Sequence, residues 1–321
     1  MSGASDLAER VLAGDPRAVA RAITLVEDDE NTGAELIRAI FSRTGRAYLI
    51  GVTGPPGAGK STLVDRLTAA YRSRSATIGV IAVDPTSPFT GGAVLGDRLR
   101  MQSHAADEDV FIRSMATRGH LGGLSRATGD AALVLDAAGK DVVMIETVGV
   151  GQDEVDIVRT ADVSIVTLVP GAGDEVQALK AGIMEIADIF VVNKADREGA
   201  DRLATAVEGI LGLHPYATGQ WRPPIVRTVA TSGRGVPELV EAIEQFRAHH
   251  GSSTGAAEGR RRARAEHWLR ERVTRGFMDR LERSVLNPGE LSSLAARIEA
   301  REIDPYSAAA GLLARAGVDR T

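Results

Sequence analysis

Residues 48–67 have the sequence YLIGVTGPPGAGKSTLVDRL, from which the fold class of this chain can be predicted. An apolar run of strand length, YLIGV, leads into a glycine-rich turn, and a helical segment follows. The turn matches the pattern GxxxxGK[ST], in which backbone N–H groups surround phosphate oxygens, and it has the strand and the helix that the motif requires. We therefore predict a phosphate-binding loop. The predicted phosphate-binding residues are Gly54, Pro55, Pro56, Gly57, Ala58, Gly59, Lys60, Ser61 and Thr62.

Two side chains at the end of this loop have predicted roles of their own. Lys60 is expected to reach the β- and γ-phosphates and to act in catalysis there, and the hydroxyl of Ser61 is expected to ligate Mg²⁺. The amino terminus of the helix that begins here also favours negative charge. The sequence thus predicts a site for a nucleotide with Mg²⁺.

The middle of the chain alternates between short apolar runs and helical segments. Runs rich in β-branched residues predict strands buried on both faces, as in a parallel sheet. They are YLIGVTG (48–54), TIGVIAVD (77–84), DVVMIET (141–147), DVSIVTLV (162–169) and DIFVVNK (188–194), with VFIRS (110–114) and PIVRTVA (224–230) as weaker candidates. The alternation predicts an α/β fold with a doubly wound, mostly parallel sheet, whose ligands bind at the carboxyl ends of the strands.

A second motif, Asn193-Lys194-Ala195-Asp196, follows the apolar run DIFVV and is typical of guanine recognition. The carboxylate of Asp196 can accept hydrogen bonds from the ring N–H and the exocyclic amine of guanine, whereas adenine offers a lone pair at the ring position. Asn193 and Lys194 are expected to brace the loops and cover the base. Thr231, Ser232 and Gly233 follow a later strand, where a second base-contacting loop belongs. The predicted ligands are therefore GTP and GDP.

Acidic and glycine residues after other strands are candidates for the metal and the γ-phosphate. Asp84 and Glu146 end apolar runs and are predicted to hold Mg²⁺ and act in catalysis, although each could instead cap a helix. Asp97 is a further metal candidate or a surface charge. Gly149 is predicted to contact the γ-phosphate through its N–H. Gln152 is a catalytic candidate that could orient the attacking water, or it could be a solvated loop residue.

Composition excludes several classes of function. The 321 residues carry a formal net charge of −5, 44% hydrophobic residues and no cysteine, which excludes disulfides, cysteine–zinc sites and thiol catalysis. The six histidines form no ligand cluster, and the run RRRAR (260–264) is expected to be a solvated helix face. With no secretory signal and no apolar stretch of about 20 residues, we predict a cytoplasmic protein that binds neither membrane nor nucleic acid.

Three regions follow from these patterns. Residues 1–45 are predicted to form a helical extension and residues 46–249 to form the nucleotide-binding domain. The polar stretch HGSSTGAAEG (250–259) resembles a linker, and the helical remainder completes a third region, residues 250–321.

Several stretches together resemble one family. The helical LAERVLAGDPRAVARAITLVE, the loop GVTGPPGAGKSTL, and then VDPTSPFTGGAVLGDR, RGHLGGLS, IETVGVGQDE and VVNKAD occur in this order. That order is similar to the MeaB/ArgK-type GTPases of the SIMIBI class, to which the mammalian methylmalonic aciduria type A protein is related. The resemblance covers nearly the whole chain, and VDPTSPFTGGAVLGDR and IETVGVGQDE are its most specific parts.

The resemblance implies a fold, a reaction and partners. Members are G-protein chaperones of adenosylcobalamin-dependent acyl-CoA mutases, whose GTP binding and hydrolysis gate cofactor loading and protect the mutase. Their helical C-terminal arm serves homodimerisation. The phosphate, metal and guanine residues named above would keep their roles here. The segment Val169–Lys180 would be the switch that responds to the mutase, although on sequence alone it could be a simple strand–helix turn.

Other functions stay open from the residues alone. A kinase or ATPase linked to amino-acid transport matches older labels within the family, although NKAD disfavours ATP. A nickel-delivery GTPase would need cysteine or histidine motifs, and a GTP-binding scaffold would not hydrolyse its ligand. The sequence leaves undetermined which mutase is the client, which residue activates water and whether the chain touches cobalamin.

Overall fold

The computed structural model describes residues 3–28, 30–84, 104, 106–116, 126–147, 160–171, 186–252 and 256–317. The chain divides into two compact units, residues 1–257 and residues 258–321. The first unit holds a sheet with helices around it, and the second is helical. No helix in these described ranges is both long and apolar enough to cross a lipid bilayer.

The core of the first unit is a seven-stranded sheet in which every pair of neighbouring strands is parallel. The strands are β1 (Tyr48–Thr53), β2 (Ile78–Asp84), β3 (Val110–Ala116), β4 (Val142–Glu146), β5 (Val163–Leu168), β6 (Ile189–Val192) and β7 (Ile225–Arg227). Their order is β3-β2-β4-β1-β5-β6-β7. The predicted doubly wound parallel sheet is confirmed. The two weakly predicted strands are present and form the two edges, where a strand is covered least.

Helices cover both faces of this sheet. In the first unit they are α1 (Gly3–Leu12), α2 (Pro16–Asp28), α3 (Glu30–Ile40), α4 (Lys60–Arg72), α5 (Arg126–Ala137), α6 (Ala200–Leu211) and α7 (Val236–Ser252). Side chains alternate along each strand. On β2, Ile81 and Val83 pack into a core cluster with α1, α2, α3 and α5, whereas Ile78 and Val80 pack into a second cluster with α4 and α7. The helices before residue 45 thus share a core with the sheet.

One buried carboxylate fastens the end of the helical extension to the sheet. Asp136 in α5 is 4% exposed. Its oxygens accept hydrogen bonds from the backbone N–H groups of Gly45, Arg46 and Ala47, the last two at 3.2 and 2.9 Å. These three residues lead directly into β1. The carboxylate therefore fixes where the central strand begins.

Replacing Asp136 by asparagine is expected to lower the free energy of unfolding by about 1–3 kcal/mol, because one of the two accepting oxygens becomes a donor and the other loses its charge at a buried position. The exposed Asp6, changed to asparagine, is the matched control and should alter stability by less than about 0.5 kcal/mol. Denaturant unfolding measures both values. Equal effects of the two substitutions would show that the Asp136 contacts do not stabilise the fold.

The second unit contains α8 (Ala256–Ser284), α9 (Glu290–Glu299) and α10 (Pro305–Arg315). The carboxylate of Asp304 caps α10 by accepting from the N–H groups of Tyr306 and Ser307, both at 2.9 Å. Arg315 and Glu290 form an ion pair at 2.7 Å that joins α10 to α9. Among the described residues of this unit, the buried apolar side chains are Leu281 and Ala308. Few apolar side chains of its described helices are therefore fully buried.

Candidate nucleotide-binding site

The predicted phosphate loop follows the carboxyl end of β1, the central strand, and leads into α4. Three of its glycines have positive φ values, +135° at Gly54, +76° at Gly57 and +86° at Gly59. A Cβ atom on Gly54 would lie 2.0 Å from the carbonyl oxygen of Thr167, and one on Gly59 would lie 2.5 Å from Nδ2 of Asn193. The loop curve therefore requires glycine at both positions, for conformation and for space.

Lys60 lies against the loop from inside. Its side chain donates hydrogen bonds to the carbonyl oxygens of Gly54 at 2.8 Å and Pro55 at 3.2 Å. The residue is 6% exposed, so its ammonium group is held close to the backbone that would surround phosphates. Of the other predicted loop residues, Ala58 is buried, while Pro56 and Gly57 lie exposed at the tip.

A hydroxyl and a carboxylate meet beside the loop. Ser61, in the first turn of α4, donates from Oγ to Oε1 of Glu146 at 2.6 Å, and both residues are buried. Glu146 ends β4, the strand that pairs with β1. Mg²⁺ prefers hard oxygen ligands and usually takes only one or two from the protein, with water and phosphate oxygens completing the shell. The donor set of Ser61 and Glu146 fits this ion.

The remaining metal and switch candidates are only partly described. Asp84 ends β2, and β2 pairs with β4 so that Ala82 lies opposite Glu146. The backbone of Asp84 therefore lies at the carboxyl ends of the strands, as the phosphate loop does. Asp97, Gly149 and Gln152 lie outside the described residues, as does Val169–Lys180 beyond residue 171. Their predicted roles stay predictions.

The predicted guanine motif is joined to the phosphate loop through one side chain. Asn193, which is 2% exposed, donates from Nδ2 to the carbonyl oxygen of Ala58 at 2.8 Å. Its Oδ1 accepts from the hydroxyl of Thr228 at 3.0 Å and from the N–H of Ala230 at 3.1 Å. Three segments that are far apart in sequence therefore meet at Asn193.

The other residues of the motif lie next to the phosphate loop or are exposed beside it. Lys194 has a φ of +56° and donates from Nζ to the carbonyl oxygen of Gly57 at 2.8 Å, so that its chain lies along the loop. Asp196 is exposed, so its carboxylate is accessible to a ligand. The predicted second base loop, Thr231–Gly233, follows Ala230 directly, and its Ser232 N–H is bonded to the carbonyl oxygen of Val229 at 3.0 Å.

Sequence patterns missed several polar residues around this site. Arg66 in α4 donates hydrogen bonds to the carbonyl oxygens of Ala230 at 3.1 Å and Thr231 at 3.0 Å. The hydroxyl groups of Thr53 and Thr147 are 2.8 Å apart and buried, at the roots of the phosphate loop and of the segment after β4. Each contact joins different elements, so no spacing within one element could reveal it.

A glycine-rich loop follows the central strand of a parallel sheet, and Asn193 joins this loop to the ends of β6 and β7. These features define a P-loop nucleotide-binding protein of the α/β class. The family model described as "Methylmalonyl Co-A mutase-associated GTPase MeaB" matches residues 19–285. The chain belongs to this family, and it is a GTPase.

Individual relatives agree with this assignment. A protein of Pyrococcus abyssi that is named as a GTPase is 53% identical over 306 residues, which are 95% of this chain and 94% of the relative. The GTPase ArgK of Escherichia coli is 36% identical over 85% of this chain and 84% of its own. A solved structure of a "LAO/AO transport system kinase" covers 97% of both chains with a TM-score of 0.73 and 27% identity.

Proposed function

We propose that this GTPase is a molecular switch for an adenosylcobalamin-dependent acyl-CoA mutase of the methylmalonyl-CoA mutase type, gating cofactor loading and protecting the mutase. The family description names association with that mutase, which supports the choice of partner. The observation that carries the switch itself is the buried bond between Ser61 and Glu146. It joins the phosphate loop to the strand end from which the segment with Gly149 begins.

Hydrolysis would proceed by in-line attack of water on the γ-phosphate of GTP. The backbone N–H groups of residues 54–61 would bind the phosphate oxygens, and the ammonium of Lys60 would offset the charge that grows on them. Asp84, Asp97, Glu146 and Gln152 are the proposed groups around the metal and the attacking water. No arginine of the sequence can be assigned as an arginine finger that stabilises the transition state, so GTP turnover by the isolated protein should be slow.

Ser61 and Glu146 would hold Mg²⁺, together with Asp84 and Asp97. The ion would supply positive charge next to the β- and γ-phosphates when bound. The structure supports the first two ligands directly, because their oxygens already lie within 2.6 Å of each other at the mouth of the loop. Asp196 would accept hydrogen bonds from guanine, and Thr231–Gly233 would line the other side of the base.

Changing Ser61 to alanine is expected to weaken the Mg²⁺ dependence of GTP binding and to lower GTP hydrolysis by about 100-fold, because a metal ligand is removed. The matched control is Ser73→Ala, which removes an exposed hydroxyl from the other end of the same helix. Magnesium titrations of GTP turnover measure both variants. An unchanged magnesium requirement in Ser61→Ala would show that this hydroxyl is not a ligand.

The second unit is the proposed homodimerisation arm. Its helices expose large apolar side chains, among them Leu269 at 63% and Val273 at 61% on one stripe of α8. Such a surface is costly to leave in water, and a second copy of the chain would cover it. Light scattering should give the mass of a dimer, and Val273→Asp should shift it toward the monomer. Leu213→Asp, at an exposed position of the first unit, is the control that should not.

The partner is tested by mixing the full chain with methylmalonyl-CoA mutase or isobutyryl-CoA mutase, with GTP or a non-hydrolysable analogue. We expect a nucleotide-dependent complex with one of them and an increase in GTP turnover of about tenfold or more. Lys60→Ala is the control for turnover that depends on the site. No complex with either mutase, and the same turnover with and without them, would refute the proposal.

A second function is favoured by one comparison alone, the solved structure named as a transport system kinase. A kinase would transfer the γ-phosphate to a protein or a small molecule instead of water. Labelled GTP distinguishes the two reactions, because only a kinase leaves the label on an acceptor. We expect the label in free phosphate.

A further inference from the structure

Arg66 lies outside every motif of the sequence, yet its guanidinium bonds to the loop predicted to contact the base. It projects from α4, the helix that begins with Lys60 and Ser61. Nε donates to the carbonyl oxygen of Ala230 at 3.1 Å, and an Nη atom donates to the carbonyl oxygen of Thr231 at 3.0 Å. A planar guanidinium suits two adjacent acceptors in this way.

The backbone of Ala230, which leads into the base loop, is bonded on both sides. The N–H of Ala230 donates to Asn193, and its carbonyl oxygen accepts from Arg66. Beyond it, Gly235 has a φ of +81°, and a Cβ there would lie 2.0 Å from the carbonyl oxygen of Arg227, so the loop closes tightly onto the end of β7. The carbonyl oxygen of Thr231, which lies between these two anchors, accepts from Arg66.

We propose that Arg66 is a positioning residue for the base, which fixes Ala230 and the base loop Thr231–Gly233 relative to the helix that carries the phosphate-binding residues. This inference rests on the proposed guanine site and adds a residue to it. Because α4 starts at the phosphates and Arg66 reaches the base loop, one rigid helix sets the distance between the two ends of the nucleotide site.

The role predicts an effect that depends on the base. Without Arg66, the loop would lose two hydrogen bonds from a charged donor, and binding of a nucleotide would have to order it. Inorganic triphosphate occupies only the phosphate end. Its binding should therefore be insensitive to Arg66, whereas a residue that merely stabilises the fold or attracts phosphate would affect both ligands.

The test compares GDP and inorganic triphosphate, each with Mg²⁺, in calorimetric titrations of the full chain. Arg66→Ala is expected to raise the Kd of GDP about tenfold and to leave the Kd of triphosphate within about twofold. Arg66→Lys, which keeps the charge but lacks the rigid planar fork of the guanidinium, should fall between. The KM of GTP should rise by more than kcat falls.

The control is Arg74→Ala, which removes the same charge from an exposed position just beyond the other end of α4. It should bind both ligands as the unmodified chain does. An Arg66→Ala variant that binds GDP normally, or that loses triphosphate as much as GDP, would overturn the inference. If the unmodified chain itself bound no GDP, the guanine site would fail instead, so the two failures are distinguishable.

Discussion

Replacing Gly54 by alanine is expected to abolish measurable nucleotide binding and to lower the free energy of unfolding by about 3 kcal/mol or more. Its φ of +135° is a conformation that residues with a side chain rarely adopt. In addition, the new Cβ would lie 2.0 Å from the carbonyl oxygen of Thr167. That oxygen belongs to the backbone of a buried strand, so the loop rather than the strand would have to move.

Gly57→Ala is the matched control for this substitution. Gly57 lies in the same loop with a φ of +76°, but a Cβ there would meet nothing within 4 Å. Its cost should be limited to backbone strain, about 1–2 kcal/mol. Thermal or denaturant unfolding of both variants, with GDP titrations, measures the difference. If Gly54→Ala were no worse than Gly57→Ala, the close approach of the loop to β5 would not matter.

Changing Asp196 to asparagine is expected to change the base preference of the site from guanine to xanthine. Guanine presents two donors, the ring N–H and the exocyclic amine, which suit a carboxylate. Xanthine presents a donor and a carbonyl oxygen, which suit the acceptor and donor of an asparagine amide. The affinity for GDP should fall by about 1–3 kcal/mol, or about 5- to 150-fold, and the affinity for XDP should rise similarly.

The control for Asp196→Asn is Asp201→Asn, which removes an exposed carboxylate five residues later, in the first turn of α6. It should leave the order of affinities, GDP above XDP, unchanged. Competition between the two diphosphates for a fluorescent guanine nucleotide measures this order. Should Asp196→Asn still prefer GDP by the original margin, another residue must read the base.

Much of the fold could be predicted because its signals are local. Strands buried on both faces produce continuous apolar runs, and β1, β2, β4, β5 and β6 all lie within predicted runs. The edge strands β3 and β7 gave weaker patterns because they are only partly buried. The helices α1, α2 and α3 pack into the same core as β2 and β4, and such long-range packing leaves no pattern in the local sequence.

The site, like the fold, has parts that local sequence predicts and parts that it does not. The motifs identify the loop at Gly54, the carboxylate Glu146 and the segment at Asn193, because glycine conformation, charge and strand ends are visible in sequence. The contacts between them were not visible. Asn193 reaches Ala58 across 135 positions, and Arg66 reaches Ala230 across 164, so each partnership depends on the packing of whole elements.

A calorimetric titration of the unmodified protein with GDP and with ADP, each in the presence of Mg²⁺, tests whether the chain has a guanine nucleotide site. A site that binds phosphates at residues 54–61 and guanine at Asp196 should bind GDP about 100-fold more tightly than ADP. Equal affinities for the two, or no heat on adding GDP, would contradict a guanine nucleotide site at this edge of the sheet.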